Sequence, residues 1–288
     1  MRHLLLVIPI IFFLSGCVKN NPEPVWLEIN EWTLQSNPNA TDDQGEMTHN
    51  FSEVWVYVDN KVIGVFELPC KIPVLVSGDA KVQLYPAVRN NGIAATKKIY
   101  PFVEPYVINS MNFVPGQTYT FQPTTKYAAN CNFWIEDFDA GSVKIQTDNN
   151  FSNASLQIES LSAISLTGDY GHIALSPTDS LWVGITTDAL TLPKGKEIYL
   201  EIDYRNTNPL LTGVRAFNIS GGSTDNDNVT IKAQKEENLQ WKKIYIDLKE
   251  IVSYSQTAAS FKQYFKSLLP PNVALADVYL DNIKIIHF

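Results

Sequence analysis

Residues 52–92 read SEVWVYVDNKVIGVFELPCKIPVLVSGDAKVQLYPAVRNNG, and most of this stretch alternates with a period of two. The three valines of VWVYV (54–58) point to one side of an extended chain, while the two aromatic residues point to the other. Asp59 and Asn60 make a turn, and residues 62–66 return as a second strand. Because β-branched and aromatic residues favour strands, the pattern predicts a β-hairpin.

Turn signals recur through the first part of the chain at intervals of about ten residues. They fall at SGD (77–79), RNNG (89–92) and VPGQ (114–117). The strands predicted between them are 81–88, 96–102, 107–113 and 119–123. No helical period accompanies these strands, so the spacing predicts an all-β fold and favours a β-sandwich over βαβ units.

The pattern VYVDNKVIGVFELP…PVLVSGDAKVQLYP resembles the small surface β-domains of the PEGA type. It is also similar to the N-terminal half of an uncharacterised group of Bacteroidetes lipoproteins. The resemblance covers most of residues 50–127 and implies an N-terminal β-domain carried by a lipoprotein.

The polar segment TTKYAANCN (124–132) ends this part, and we place a domain boundary near residue 129. Four landmarks follow it: FWIEDFDAGSVKIQ (133–146), EIYLEIDYR (197–205), LQWKKIYIDL (239–248) and VALADVYLDNIKIIHF (273–288). Their order resembles a galactose-binding-like jelly roll, the fold of many carbohydrate-binding modules. The resemblance spans residues 133–288 and implies that the second domain is a jelly roll.

We therefore predict two β-sandwich domains at 26–129 and 130–288, the second of them a jelly roll. One segment, AASFKQYFKSLLP (258–270), fits two structures. Phe261 and Phe265 suit a short amphipathic helix, but they also suit an alternating strand. The jelly-roll pattern favours the strand.

Residues 1–16 predict a secretory signal peptide, because a basic start precedes an apolar run shorter than the ~20 residues that span a bilayer. The following LSGC (14–17) resembles the lipobox of bacterial lipoproteins. That resemblance implies cleavage before Cys17, a diacylglycerol on its sulfur and a fatty acyl group, such as palmitate, on its amino group. Two or three acyl chains anchor a protein stably.

Residues 17–25 follow as a polar, proline-bearing tether without periodicity. No acidic residue stands directly after Cys17. By resemblance to lipoprotein sorting in two-membrane bacteria, this implies the outer membrane of a Gram-negative envelope. The pattern leaves open whether the protein faces the periplasm or the outside.

The charge balance limits the partners of the protein. The sequence holds 22 Lys and Arg against 30 Asp and Glu, a formal net charge of −8. An acidic chain without a basic cluster is a poor nucleic-acid binder and is not attracted to anionic lipid. Contact with the membrane is therefore expected through the acyl chains alone.

Two cysteines besides the acylated one, Cys70 and Cys131, leave two alternatives. An exported protein can form a disulfide between them. The favoured interpretation is instead that both are buried small apolar residues. Two cysteines cannot supply the ligands of a cysteine zinc site.

Signals for enzyme chemistry are weak, since the four histidines are scattered and no serine stands in a G-x-S-x-G turn. In YLEIDYR (199–205), Glu201 and Asp203 share one strand face and can act as an acid–base pair. The stretch resembles the opening of some jelly-roll glycosidase motifs, yet Asn206 stands where a second glutamate belongs. The favoured interpretation is a solvated strand face on which Arg205 offsets the acids.

A structural Ca²⁺ site is implied by the jelly-roll resemblance, because related modules commonly hold this ion where early and final strands meet. Calcium takes six to eight oxygen ligands. Candidates are Glu136, Asp137, Asp139 and Asp281. The favoured alternative is that these acids cap strand ends in water. STDNDNVT (223–230) lacks the pattern of an EF-hand loop and is interpreted as a hairpin turn.

Aromatic residues of the second domain are candidates for stacking on a sugar ring. They are Trp182, Tyr170 and Tyr204, whereas Trp134 and Trp241 fit core positions of the jelly roll. A tryptophan in a β-sandwich is more often part of the core than a binding platform, and exposure separates the two. We predict a ligand-binding set of Trp182, Glu201, Asp203 and Tyr204.

Three functions stay open. The leading hypothesis is a non-enzymatic, lipid-anchored outer-membrane protein whose jelly roll binds an envelope protein partner or a glycan. The alternative is carbohydrate capture at the cell surface. The third is a glycosidase that uses Glu201 and Asp203. The jelly-roll fold by itself does not decide among them.

Overall fold

The computed structural model describes residues 22–139 and 141–288, and strands dominate throughout them. The first ten strands are β1 (Val25–Ile29), β2 (Thr33–Gln35), β3 (Glu53–Val58), β4 (Lys61–Glu67), β5 (Cys70–Val74), β6 (Gly78–Arg89), β7 (Lys97–Ile99), β8 (Tyr106–Phe113), β9 (Thr118–Phe121) and β10 (Thr124–Lys126). They form the first sandwich. Cys17 and residues 1–16, for which a signal peptide is predicted, lie outside the described residues.

The remaining strands form the second sandwich. They are β11 (Asn132–Glu136), β12 (Ile145–Thr147), β13 (Leu156–Glu159), β14 (Tyr170–Leu175), β15 (Leu181–Thr186), β16 (Ile198–Asn206), β17 (Leu210–Asn218), β18 (Ser223–Ile231), β19 (Lys242–Asp247), β20 (Ala258–Leu268) and β21 (Ala276–His287). A single helical turn at Glu236–Asn238 and a short helix α1 (Lys249–Tyr254) interrupt them. The prediction of an all-β fold with two sandwiches, the second a jelly roll, is confirmed.

The first sandwich packs a sheet of order β5–β1–β9 against a sheet of order β4–β3–β6–β7, in which β8 also pairs with β6. A parallel pair, β10 with β2, extends it. Val54, Val56 and Val58 of β3 are all buried in the core between these sheets. Burying a side chain of this size stabilises the fold by about 1.5–3 kcal/mol. The alternation in the sequence therefore faces the core as predicted.

The hairpin between β3 and β4 turns at Asp59 and Asn60, where the sequence predicts a turn. Both residues adopt left-handed backbone angles, with φ of 48° and 61°. Such angles define the two-residue turn that matches the twist of a hairpin. The carboxylate of Asp59 also accepts a hydrogen bond of 2.8 Å from the backbone amide of Lys81, which ties the turn to β6.

Two sheets of the second sandwich enclose its core. One sheet has the order β13–β14–β21–β16–β19, with β11 also paired to β21, and we call it the interface sheet because it contacts the first sandwich. The other has the order β12–β15–β20–β17–β18, and we call it the groove sheet because a surface groove crosses its outer face. Phe261 and Phe265 of β20 are both buried between the two sheets. The strand predicted for residues 258–270 is therefore confirmed over Ala258–Leu268.

One local expectation is wrong. Residues 223–230, interpreted as a hairpin turn, lie within strand β18, which pairs along its length with β17. The short helix α1 leaves no helical period in the sequence, because it has six residues and only Val252 is buried. The backbone amide of Lys249 donates to the side chain of Asp247 at 2.9 Å and fixes the first turn of α1.

The first sandwich rests on the outer face of the interface sheet. Tyr199 of β16, Tyr245 of β19 and Ile286 of β21 belong to the hydrophobic core of the first sandwich rather than to that of the second. The two sandwiches therefore share a buried interface. Within the described ranges, no helix is both long and apolar enough to cross a bilayer.

Candidate functional site

The carboxylates that the sequence places on a solvated strand face are buried in the interface between the sandwiches. Glu201 is 0% exposed and Asp203 is 2% exposed. Alternation puts both on the outer face of β16 as predicted, but the first sandwich covers that face. The expectation of a solvated face is therefore wrong, and neither carboxylate is accessible to a ligand in solution.

Hydrogen bonds from both sandwiches saturate this pair. Tyr100 donates to Glu201 at 2.5 Å, and Tyr127 donates to both of its oxygens at 3.1 Å. The ammonium group of Lys243 lies 3.4 Å from Glu201 and 3.3 Å from Asp203. A buried carboxylate is tolerated only when it is paired and hydrogen-bonded in this way. The glycosidase hypothesis is wrong, because an acid–base pair has to face a sugar-sized groove.

Burial and charge fix the protonation of this interdomain cluster. Burial raises the pKa of the Tyr100 and Tyr127 phenols well above the usual value, and the Glu201 carboxylate adds to the rise. Both hydroxyls therefore stay protonated and donate. Burial lowers the pKa of Lys243, but the carboxylates of Asp203 and Glu201 outweigh it and leave the pKa raised. We call this cluster of Tyr100, Tyr127, Glu201, Asp203 and Lys243 the interdomain latch, because its contacts connect the two sandwiches.

Trp182 lies in the core of the second sandwich and is 0% exposed. Its ring stacks on Phe265 with centroids 6.5 Å apart, and its Nε1 donates to the hydroxyl of Thr147 at 3.2 Å. Gly184 lies so close to the ring that a Cβ there would clash with it. Trp182 is therefore closed to a ligand from solution, in line with the core role that tryptophans usually have in sandwiches.

Of the acids proposed for calcium, Asp139 and Asp281 contact the same loop at residues 167–169, whereas Asp137 contacts Asp139. The backbone amide of Asp169 donates to Asp139 at 2.6 Å, and the hydroxyl of Thr167 donates to Asp281 at 3.2 Å. Asp137 accepts only from the backbone amide of Asp139, at 3.3 Å. Within residues 22–139 and 141–288, no group of three acidic, histidine or cysteine side chains could hold a metal ion. The calcium site stays a prediction.

Both remaining thiols are free in the described chain. Cys131 is buried and donates a weak hydrogen bond of 3.5 Å to the carbonyl oxygen of Phe102. Burial raises the pKa of Cys131 to about 12, so it remains a thiol. Cys70 is half-buried at the start of β5. Neither has the lowered pKa of a reactive cysteine.

An open groove of about 530 Å³ crosses the outer face of the groove sheet. Its walls are Phe151, Leu181, Val183, Arg215, Asp225, Asp227, Tyr264 and Lys266. The residues alternating with these along β15, β17 and β20 are buried in the core, so the groove residues face outward. Phe151 is 59% exposed and presents an aromatic ring at the edge of this sheet-face groove.

The polar groups of the sheet-face groove are held in place by one another. Arg215 contacts Asp225 at 2.6 Å and Asp148 at 3.2 Å, and its guanidinium lies 6.0 Å from the centre of the Phe151 ring. Tyr264 donates a hydrogen bond to Asp227. These contacts fix the carboxylates and the guanidinium group in place beside the apolar side chains of Leu181 and Val183.

Gly213 explains how the ring of Tyr264 reaches Asp227. Gly213 and Tyr264 are register partners on β17 and β20, and a Cβ on Gly213 would clash with the ring carbon that bears the hydroxyl of Tyr264 and with that hydroxyl. Without a side chain at position 213, the phenol lies flat across β17. A glycine in the interior of a strand often marks such a close approach.

The groove residues are absent from the ligand-binding set predicted from the sequence. The alternation of LLTGVRAFN (210–218) and of β20 carries a signal that could have placed Arg215 and Tyr264 on one face. That signal was obscured because β18, which supplies Asp225 and Asp227, was interpreted as a turn. Phe151 lies in a loop, where no periodicity applies.

Of the predicted ligand-binding residues, Tyr204 lines a cavity. It is half-buried in the interdomain cleft, which is bounded by residues 91–93 of the first sandwich and by β16, β18 and β19. Tyr170 is buried and packs edge-to-face on Trp241 with centroids 6.1 Å apart. Trp134, which we expected in the core of the second sandwich, is partly buried and packs against that core.

No protein-family model matches the chain, and no curated protein matches it. Several solved structures are similar. The xylan-binding CBM22-1 domain of Paenibacillus barcinonensis Xyn10C is 13% identical, with a TM-score of 0.37, over 54% of this chain and 92% of that one. The family 11 carbohydrate-binding module of Clostridium thermocellum Lic26A-Cel5E is 16% identical, with a TM-score of 0.35, over 55% and 95%.

The CBM22-1–GH10 modules of Clostridium thermocellum xylanase 10B, complexed with xylohexaose, are 11% identical, with a TM-score of 0.37, over 53% of this chain. The match spans only 27% of that xylanase chain. These neighbours are carbohydrate-binding modules or contain them. At such TM-scores the likeness carries no argument, and the fold rests on the strands described above.

Proposed function

We propose that the protein is a non-enzymatic, membrane-tethered glycan-capture protein and that the second sandwich carries the binding site. The observation that supports this proposal is the sheet-face groove, where the exposed ring of Phe151 stands beside fixed polar groups. Ligand sites typically combine apolar or aromatic walls with a few convergent polar groups. The groove has this composition.

The chemistry of the groove suits a sugar. The flat face of a pyranose can stack on the free side of the Phe151 ring, since Arg215 lies against the other side. Its hydroxyls can donate to Asp225 and Asp227, whose positions are already fixed by Arg215 and Tyr264. Because these groups are ordered before the ligand arrives, little side-chain entropy is lost on binding.

The anchor belongs to the same proposal. Cys17, acylated after signal cleavage, ties the protein to the outer membrane, and the polar residues up to Val25 act as the tether. An envelope protein partner remains the second occupant to be tested. We rank it below a glycan, because the groove is small and combines apolar with charged side chains, unlike a broad apolar surface.

The test is retention of the intact acylated protein, reconstituted in vesicles, on a panel of neutral polysaccharides. We expect retention on at least one of them, with about fivefold weaker binding for Phe151→Ala from loss of ring stacking. Leu161→Ala is the matched control, because Leu161 is an exposed apolar residue outside the groove. Cys17→Ala should release the protein from vesicles and leave its glycan affinity unchanged.

Two outcomes would contradict the proposal. The first is absence of retention across the whole panel, and the second is equal binding by Phe151→Ala and Leu161→Ala. Recovery of a stoichiometric envelope protein with the intact protein, together with either outcome, would favour the assembly role instead.

A further inference from the structure

The interdomain cleft is an open cavity of about 920 Å³ between the two sandwiches. One wall comes from Asn91, Gly92 and Ile93 of the first sandwich. The other comes from the ends of β16 and β19, from β18 and from the segment after it. This volume lies within the range of about 300–1,000 Å³ that is usual for small-ligand sites. The cleft exists only where both sandwiches are present.

Contacts between the sandwiches hold the walls of this cleft in place. The backbone amide of Asn91 donates to the carbonyl oxygen of Tyr245 at 2.9 Å, and its side-chain oxygen accepts from the amide of Asp247 at 2.8 Å. Gly92, with φ of 72°, approaches Ile244 so closely that a Cβ would lie 3.0 Å from that side chain. The cleft is therefore preformed.

The charge of the cleft is opposite to that of the protein. Its lining contains three lysines, Lys232, Lys235 and Lys242, and no aspartate or glutamate. The chain as a whole carries a net charge of −8. Lys235 lies 3.8 Å from Glu237 at the exposed rim, a pairing that contributes little. Within the described ranges, Lys232 and Lys242 make no ion pair.

Neutral groups complete the lining. Tyr204 is half-buried, and it stands directly opposite Lys242 in the ladder between β16 and β19, so the two side chains share one face. Burial raises the pKa of the Tyr204 phenol, which therefore stays protonated. Amide side chains that can bind hydroxyl groups line the remainder, namely those of Asn91, Asn228, Gln234 and Asn238.

We propose that the interdomain cleft binds an oligosaccharide that carries carboxylates, such as a short chain of uronic acids. The ammonium groups of Lys232 and Lys242 pair with the carboxylates, Tyr204 stacks on a sugar ring, and the amides bind hydroxyls. This site is separate from the sheet-face groove and does not depend on it. It is selective for charge, because no carboxylate in the lining competes for the lysines.

The experiment measures binding of a galacturonic acid trisaccharide and of its uncharged methyl ester to the intact protein in detergent micelles. We expect the acid to bind at least tenfold more tightly than the ester, with an affinity that falls as salt rises. The double variant Lys232→Gln/Lys242→Gln should weaken binding of the acid by about tenfold and leave binding of the ester unchanged.

The matched control is Lys61→Gln/Lys196→Gln, which removes the same charge from exposed positions outside the cleft and should bind like the parent. Equal affinity for acid and ester, no binding of the acid, or equal loss in both double variants would overturn the proposal. Phe151→Ala separates the two sites: it should not change binding of the acid. If no neutral polysaccharide binds but the acid binds in a charge-dependent way, the proposal for the sheet-face groove is contradicted and the proposal for the interdomain cleft is supported.

Discussion

Lys284 of β21 is a fully buried lysine whose ammonium group faces the first sandwich. It donates to the backbone carbonyl oxygens of Gln44 and Glu46, each at 2.6 Å. Burial, together with the nearby charge of Lys243, lowers its pKa to about 8. The side chain therefore fixes a loop of the first sandwich while remaining close to neutrality under mildly alkaline conditions.

The lowered pKa of Lys284 predicts a pH dependence of stability. An unfolded lysine keeps its proton to about pH 10.4, so between pH 7.5 and 9.5 the unfolded state binds more protons and stability rises with pH. We expect the unfolding free energy of the parent to gain about 2 kcal/mol over this range relative to Lys284→Met. Urea unfolding at the two pH values measures the difference.

Lys194→Met is the matched control for this prediction. Lys194 also donates to two carbonyl oxygens, those of Gln256 and Ala258, but the residue is exposed. Its replacement should shift stability equally at both pH values. An equal pH dependence in Lys284→Met and in the parent would contradict the assigned shift.

Single positions also show the limit of inference from sequence. Alternation places Glu201 and Asp203 on the outer face of β16, and the structure agrees. The sequence pattern cannot show whether water or another domain covers that face, because the covering residues Tyr100 and Tyr127 lie 101 and 74 residues before Glu201. Trp182 is ambiguous for a similar reason, since its local sequence is the same whether the ring is buried or exposed.

At the scale of elements, the β3–β4 hairpin makes a specific prediction. Asn60 holds φ of 61°, a conformation that costs most residues about 1–2 kcal/mol and asparagine or glycine less. We expect Asn60→Ala to lower the unfolding free energy by about 1 kcal/mol and Asn60→Gly to leave it within about 0.5 kcal/mol of the parent. Urea unfolding of both variants measures this, and equal losses would contradict it.

Elements with strong period-two alternation are predictable, and weakly patterned elements are not. β3 and β6 follow from their apolar and aromatic spacing, whereas the spacing of β20 also fits a helix and the jelly-roll pattern was needed to favour the strand. β18 does not, because STDNDNV has few apolar residues and carries the Asn and Asp that usually indicate turns. It is a strand because β17 pairs with it, and pairing between strands overrides weak local preference.

On the scale of the whole molecule, the interdomain latch should make the two sandwiches unfold together. Glu201→Ala removes the acceptor of Tyr100 and Tyr127 and leaves the buried Lys243 with Asp203 alone. Breaking a buried pair in this way costs about 3–5 kcal/mol. We expect calorimetry to show one transition for the parent and two for Glu201→Ala.

Glu197→Ala is the control for this prediction, because Glu197 pairs with Lys98 and Lys249 at the partly exposed edge of the same interface. We expect a loss below about 1 kcal/mol and a single transition. Two transitions in the parent, or a single one in Glu201→Ala, would show that the latch does not couple the sandwiches.

The candidate sites were less predictable than the fold, because each site is formed by residues that are far apart in the sequence. The interdomain cleft combines residues 91–93 with Tyr204 and Lys242, which only the packing of two domains brings together. The sheet-face groove combines a loop residue, Phe151, with three strands that are distant in sequence. Single-strand periodicity gives the face of a residue but not its neighbours, so both sites required the three-dimensional structure.

For the exported protein that we propose, the position of β21 has a consequence during secretion. It lies between β14 and β16 in the interface sheet, and through Lys284 it reaches back to the carbonyl group of Gln44. A chain that leaves a translocation pore from its amino end exposes the edges of both neighbouring strands until this segment emerges. Such high contact order implies slow folding, so we expect a holdase chaperone to protect these edges during secretion.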